Sequence, residues 1–395
     1  MRLTLLDGFR GYFLLFMTVA HVNVYLDTFI GKVNHHYIGW VEDAQGFVFI
    51  SGFVIGLVYT KRLLRKGAQE MGGAVRTRMV HIWRYHAGLA LLFLAAALIL
   101  PRLGVHADIL DQQAKDPILF TLMEMGLVTG TLHMGILPMY LIFMAATPFA
   151  LRAFQKGNYL TVAVVSGLAW IFAQTGLPDW AEYPVQNALA DMGHPINIGI
   201  YFNVFGWQVL YMAGLWLGYL MATDKLDLGF FRTKEAETIF YVLLAGFALF
   251  AFVSVVTWSK GLGLGYSKFV WKTFDRGNLY PIYVFNFAVD LYLVVWLLNA
   301  GHDHANRVIR GAAATLNWVF TRRIFVFLGQ HALQVFTTQV VVVYILSVWM
   351  QGQKPDTLEA NLLFFACFPP LYLAAWVHKR AKAPRPARVT AVPAE

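Results

Sequence analysis

An ionisable side chain inside a long apolar run costs roughly 2.5–3.5 kcal/mol or more in a membrane unless it faces a partner or a cavity. The run LDGFRGYFLLFMTVAHVNVY holds three such side chains, Asp7, Arg10 and His21. Asp7 and Arg10 stand three residues apart, so on a helix they neighbour each other and can neutralise one another. His21 follows Arg10 by 11 residues, about three turns plus roughly 20°, so both share one helix face about 16 Å apart along the axis. Histidine is the side chain whose proton moves most readily near neutral pH, which makes His21 a candidate general base. The same residue on its own would serve equally well as an interhelical hydrogen bond.

Two further strings carry candidate chemistry. VRTRMVHIWRYH concentrates Arg76, Arg78 and Arg84 around His81. Guanidinium forks match phosphate oxygens two at a time, although cations just outside a span also set membrane topology. QGFVFISGFVIG places Ser51 and Gly52 among aromatic residues. Small residues let helices approach closely, and no G-x-S-x-G elbow surrounds Ser51, so helix contact fits it better than nucleophilic attack.

The elements that must position these residues follow from composition. Of 395 residues, 58% are hydrophobic and 13% charged, about half the charged share of a soluble domain. That excludes a disordered chain, and the single cysteine, Cys367, excludes a disulfide scaffold. The class expected is all-α, a polytopic helical membrane bundle. Ten apolar runs are long enough to span, at about 8–30, 44–62, 81–100, 133–152, 158–176, 197–222, 236–257, 279–299, 324–350 and 360–378. They lack the alternation of a membrane barrel. The first run continues past residue 20 without an A-x-A site, so it reads as a retained span. Residues 1–379 form one transmembrane unit and 380–395 a basic, Pro-rich tail expected to be disordered. A short helix lying on the membrane is expected within 116–130, and the outer loops 101–132 and 176–196 are long enough to cover a pocket. There is no clear internal repeat.

Lys and Arg total 31 against 22 Asp and Glu, a formal +9. The excess lies in short segments between apolar runs, which argues topology rather than nucleic-acid binding. Residues 61–84, the Arg152–Lys156 turn, 307–323 and the tail fall on one side when both termini are cytoplasmic. The segment 258–278 disagrees, because Lys260, Lys268, Lys272 and Arg276 then lie outside. A functional use for Lys272 and Arg276 is expected: attracting an anionic acceptor or acyl carboxylate.

Taken together, these strings resemble a known family. D-G-x-R-G followed by His21 is similar to the first-helix motif of acyltransferase family 3, and FVFISGF to its second-helix motif. The arginine cluster also resembles that family. GILPMYLIFM, FNVFGWQVLYMAG and FLGQHALQVF narrow the resemblance to the OpgC-type branch, in the same order along the chain. The chain departs from that branch at Val204, where proline is common, at Arg276 and Tyr283, where Lys and Arg are usual, and at Ala332 in place of Ser.

The resemblance implies transfer of an acyl group, succinyl in the OpgC branch, from cytoplasmic acyl-CoA to hydroxyls of an extracytoplasmic glycan such as osmoregulated periplasmic glucan. It implies a multi-pass protein of the bacterial inner membrane. His21 would be the base, with Asp7 and Arg10 orienting the first helix or the donor. Arg76, Arg78 and Arg84 would hold CoA phosphates. Ser51, Trp207, Gln208, Lys272, Arg276 and His331 would line the substrate path. Succinyl-CoA is a substrate in this scheme; no resident cofactor or metal is expected, and an oligomer is possible. A carrier or channel, an acetyltransferase for another envelope glycan and a structural partner in an envelope complex remain as alternatives.

The charge bias makes a direct prediction. Cysteines introduced as Leu110→Cys and Val185→Cys should react with an impermeant thiol reagent on intact cells, and Ala68→Cys and Thr390→Cys should not. Labelling at position 68 from outside would invert the topology.

Overall fold

Within hydrocarbon a backbone must satisfy its own hydrogen bonds, so each apolar run closes into a helix. The computed structural model describes residues 4–35, 38–258 and 275–382, and among these every regular element is helical. The chain is an all-α polytopic membrane bundle, with eight helices long and apolar enough to cross a membrane. The principal helices are α1 (Thr4–Leu26), α2 (Asp43–Ile99), α3 (Pro117–Met125), α4 (Ile136–Gln155), α5 (Tyr159–Gln174), α6 (Leu177–Asp191) and α7 (Val204–Ala222). They continue as α8 (Lys234–Trp258), α9 (Pro281–Asn299), α10 (Arg307–Phe320), α11 (Arg323–Gln330), α12 (Ala332–Met350), α13 (Thr357–Ala366) and α14 (Pro369–Ala381).

Ten apolar runs and eight long helices reconcile simply. Runs 44–62 and 81–100 both fall on α2, and run 158–176 is α5, which has 16 residues. The run at 197–222 is helical only from Val204, after Asn203 caps α7 by accepting the Phe205 N–H at 2.9 Å. The segment 176–196, expected as a loop, is largely the helix α6, while α3 occupies the short helix expected in 116–130. Residues 383–395, most of the tail, lie outside the described residues.

The 57 residues of α2 are not one rod. Gly67 breaks them with φ +84 and ψ 174, a conformation in which only glycine is at ease. Tyr59 and Arg78 interact electrostatically across that break, whereas 19 residues of straight helix would hold them about 28 Å apart. The chain therefore bends sharply at Gly67, and α2 carries one apolar run on each side of the bend.

Glycines also set the closest helix contacts. Gly52 and Gly56 of α2 face Gly214 and Gly218 of α7, and a methyl group on any of them would overlap a backbone carbonyl of the other helix. This is small-residue packing at a four-residue spacing. Gly8 and Gly11 of α1 likewise meet the carbonyls of Phe320 and Phe325, and Gly329 of α11 meets that of Asp7. Beside that contact Phe9 stacks on Phe320 at 3.7 Å between centroids. The helix bearing Asp7, Arg10 and His21 is thus pressed backbone to backbone against α11.

Because backbone cannot move aside as a side chain can, Gly11→Val and Gly214→Val should each destabilise the protein by about 1–3 kcal/mol or more. Gly246→Ala on α8, with open space around its Cα, should stay within about 0.5 kcal/mol of the parent. Thermal unfolding in detergent measures both; equal melting temperatures for all three variants would contradict the contacts.

Candidate functional site

The site is built on α1 at two levels. At the level of Arg10, the guanidinium lies 5.8 Å from the Phe47 ring centroid and interacts electrostatically with Asp7, Tyr140 and Arg78. Its Nε is buried with no hydrogen-bond partner among the described residues. Of the three arginines expected to hold an anion, Arg78 is half-buried and turned toward Arg10, while Arg76 and Arg84 are exposed. Arg84 and Arg78 flank His81, and His378 of α14 and Lys382 just after it join them. His331 Nδ1 lies 2.7 Å from His378 Nδ1. The bend at Gly67 and the α11–α12 junction therefore gather Arg10, Arg78, His81, Arg84, His331, His378 and Lys382 at one end of the bundle. Such a concentration of positive charge is able to hold an anion.

At the second level His21 meets α12. Gln339 Nε2 lies 2.9 Å from His21 Nδ1, and the Gln339 side chain is fully buried. A glutamine amide can present its N–H or, after a half-turn, its oxygen to that nitrogen. With the oxygen presented it holds the Nδ1–H tautomer and leaves Nε2 as the basic nitrogen of the ring. On the other side the ring of His133 approaches that of His21, with centroids 4.1 Å apart and planes tilted by 44°.

His133 belongs to the non-helical connection between α3 and α4, and that connection is tied down at each step. Glu124, buried at the end of α3, accepts the Thr131 N–H at 3.0 Å and the Thr131 hydroxyl at 3.1 Å through Oε1. Burial raises the Glu124 carboxyl above the ordinary carboxylate range, while the Thr131 bonds oppose the shift. The Tyr344 hydroxyl of α12 donates to the Leu132 carbonyl at 2.7 Å, and its ring stacks on Phe93 at 4.0 Å. The Thr129 hydroxyl donates to the Asn197 carbonyl, and the Gly199 N–H to that of Val128. So restrained, His133 takes φ +69. Burial pushes its imidazole down to about 4, which keeps it neutral at physiological pH.

Beyond this connection opens a cleft of about 770 Å³, lined by Val128, Glu182, Tyr201, Asn203, Phe205 and Arg276 among others. Arg276 pairs with Glu42 at 2.8 Å. Its charge, expected to attract an anionic acceptor or acyl carboxylate, is matched here by a carboxylate of the protein. Lys272, Lys260 and Lys268 lie outside the described residues.

Several expected site residues also hold helices together. The Trp207 indole donates to the Gly277 carbonyl at 3.0 Å, joined there by the Asn203 N–H at 2.9 Å, so both clamp the turn that carries Arg276. Gln208 accepts the Ser166 hydroxyl at 2.7 Å and donates to the Ser166 carbonyl at 2.7 Å, tying α7 to α5. Ser51 is buried in α2 beside the glycine contact with α7. His106, Asp108 and Asp111 bring ligand atoms within 4.8 Å of one another, but they belong to the exposed loop after α2 rather than to the histidine pocket.

Sequence reasoning passed over His133, Gln339, His378 and Lys382. The first stands at the start of the run 133–152, which becomes helical only from Ile136, and the second is one polar residue in an apolar run. The last two lie in a basic stretch that topology alone would explain.

Compared with known proteins, residues 2–383 match the family model described as OpgC protein. No curated protein and no solved structure matches the chain. The match covers nearly the whole chain, so the chain belongs to this family.

The Arg276–Glu42 pair permits a double-mutant cycle with Arg276→Met and Glu42→Gln. The two side chains are 27% and 19% exposed, so a coupling of about 0.5–3 kcal/mol in unfolding free energy is expected. Additive effects would leave Arg276 available for a ligand after all.

Proposed function

We propose that this OpgC-family protein transfers an acyl group, succinyl in this reading, from cytoplasmic acyl-CoA to a hydroxyl of an extracytoplasmic glucan. Membership of the family supports a membrane acyltransferase function in glucan modification. The observation that carries the finer reading is that one helix, α1, bears Arg10 in the cationic end of the bundle and His21 in a buried histidine pocket. The two are 11 residues, roughly 16 Å, apart along the helix. Between the thioester sulfur and the first phosphorus of CoA lie about thirteen bonds, roughly 16 Å when extended, by ordinary bond lengths. A donor with its phosphates at Arg78, Arg84 and Lys382 would reach His21 with its thioester. The same Arg10-to-His21 spacing supports kinship with the wider acyltransferase family 3. Both termini are cytoplasmic in this scheme, in the bacterial inner membrane.

The reaction needs a base, because a sugar hydroxyl is a poor nucleophile until its proton leaves. His21 takes that proton as the hydroxyl oxygen attacks the thioester carbon. It returns the proton to the departing thiolate. Gln339 orients the ring. The acceptor enters through the cleft beside Tyr201, where aromatic faces, amides and carboxylates offer sugar-like surfaces both apolar and hydrogen-bonding contacts.

A carrier would bind without chemistry, so turnover decides. Purified protein in nanodiscs, given succinyl-CoA and periplasmic glucan, should release free thiol and yield succinylated glucan by mass spectrometry. His21→Gln keeps size and hydrogen bonding but cannot accept the proton, so kcat should fall by about 10²–10⁴-fold. Arg78→Ala should raise the donor KM with smaller change in kcat. A folded His21→Gln protein within a few-fold of the parent would remove His21 from the reaction.

A further inference from the structure

We propose that His133 is a second catalytic imidazole, whose Nε2–H holds the developing oxyanion of the acyl carbonyl while His21 receives the proton of the attacking hydroxyl. The inference rests on the acyl-transfer reading above and adds to it the group that stabilises the tetrahedral intermediate.

Three observations lead to it. The first is proximity: the two rings are 4.1 Å apart between centroids and tilted rather than parallel. A carbonyl seated at their edge can place its oxygen about 3 Å from one ring and the attacking hydroxyl about 3 Å from the other. The second is an unused donor position. His133 Nε2 is buried and has no hydrogen-bond partner among the described residues. Buried polar atoms are ordinarily paired, so an unpaired one on a well-held side chain marks the place where a ligand's polar atom would complete it. The third is the backbone. His133 has φ +69, an uncommon region for a residue with a Cβ, and such residues persist where the surroundings over-determine them. Here the surroundings are the Glu124–Thr131 bonds on one side and the Tyr344–Leu132 bond on the other. They fix the two residues immediately before His133, whose own side chain takes no part in that bonding.

The titratable groups around this ring are His21, which it touches, and Glu124 and Tyr344, which reach its segment through Thr131 and Leu132. The buried imidazole is neutral at working pH, so it has one N–H to donate and adds no cation next to the base. The step then balances. The hydroxyl oxygen forms a C–O bond to the thioester carbon. The carbonyl π pair moves onto oxygen, where the His133 N–H receives it in a hydrogen bond. The hydroxyl proton passes to His21. On collapse the oxyanion reforms the carbonyl, the C–S bond breaks, and the thiolate takes the proton from His21. A preorganised neutral donor of this kind acts on charge that exists only in the transition state.

The test is steady-state kinetics of the full-length protein in nanodiscs with succinyl-CoA and glucan. His133→Ala should lower kcat by about 10²–10³-fold, with donor KM within a few-fold of the parent. The pH–rate ionisation should persist in His133→Ala and vanish in His21→Gln. His133→Gln restores an amide N–H near the Nε2 position and should recover at least about tenfold of the loss, as an oxyanion donor requires. A folded His133→Ala protein within a few-fold of the parent overturns the role. If alanine lowers the melting temperature, the Gln variant decides, and a folded Gln variant no faster than alanine overturns it too. Loss of the ionisation in His133→Ala would make His133 the base instead and equally overturn the assignment. A parent that releases no thiol defeats the acyl-transfer reading itself. An active parent with His21→Gln dead and His133→Ala unimpaired defeats only this inference.

Discussion

The backbone contact between α1 and α11 is the constraint on which the rest of the site depends. With Gly11 and Gly329 in place, two helices meet carbonyl to Cα, and Gly8 meets the end of α10 at Phe320 in the same way. Dispersion and close packing, rather than a hydrophobic drive, hold helices together in lipid. A contact this close therefore fixes the height and rotation of α1. Rotation matters because Arg10 and His21 lie on one face, and a turn of the helix by one residue would send both into its neighbours. The second glycine contact, between α2 and α7, fixes the other wall in the same way. Together they let Arg78 return toward Arg10 after the bend at Gly67.

Polar groups inside this frame are arranged in layers. The innermost are His21, Gln339 and His133. Next come Thr131, Tyr344 and the Leu132 carbonyl, which hold the His133 connection. Behind these sits the Glu124 carboxyl, and the His86 ring lies 2.8 Å from the Glu124 carbonyl through Nε2. Each outer layer satisfies backbone groups that would otherwise be stranded in an apolar interior, at a cost of about 1–3 kcal/mol each. An irregular connection can survive among membrane helices only when buried and satisfied in this manner.

How much of this was legible in the sequence follows from periodicity. Arg10 and His21 were visible because a helix repeats every 3.6 residues and both interrupt an apolar run. The ten runs were visible for the same reason, although hydropathy could not show that two of them share α2 through a bend at a single glycine. The substrate role expected for Trp207 and Gln208 came from the resemblance of their stretch to the OpgC-type branch. Their partners, the Gly277 carbonyl and Ser166, come from distant stretches and make them clamps. The helix α6 lies in a segment expected as a loop, with Pro178 in its first turn and Pro184 inside it. His133 was illegible for the opposite reason. It carries no periodic signal, and only the pairing of α1 with the α3–α4 connection brings it to His21.

The choice of partner for His21 follows from where the charge must appear. In soluble hydrolases a carboxylate commonly orients the histidine, and its negative charge stabilises the imidazolium that forms. Here the orienting group is the amide of Gln339, and a carboxylate at that depth would carry a heavy desolvation cost with no cation to repay it in the resting state. A neutral amide fixes the ring without that cost. The Glu124 carboxyl is held one layer back by Thr131. Gln339 and His133, which flank the ring, are both uncharged before the proposed reaction begins. In the proposed reaction charge arises only as the proton moves, as an imidazolium on His21 beside an oxyanion a few ångströms away. In a low-dielectric interior such a pair attracts far more strongly than it would in water. A neutral pocket therefore favours the transition state over the resting state, which is the difference a catalyst requires.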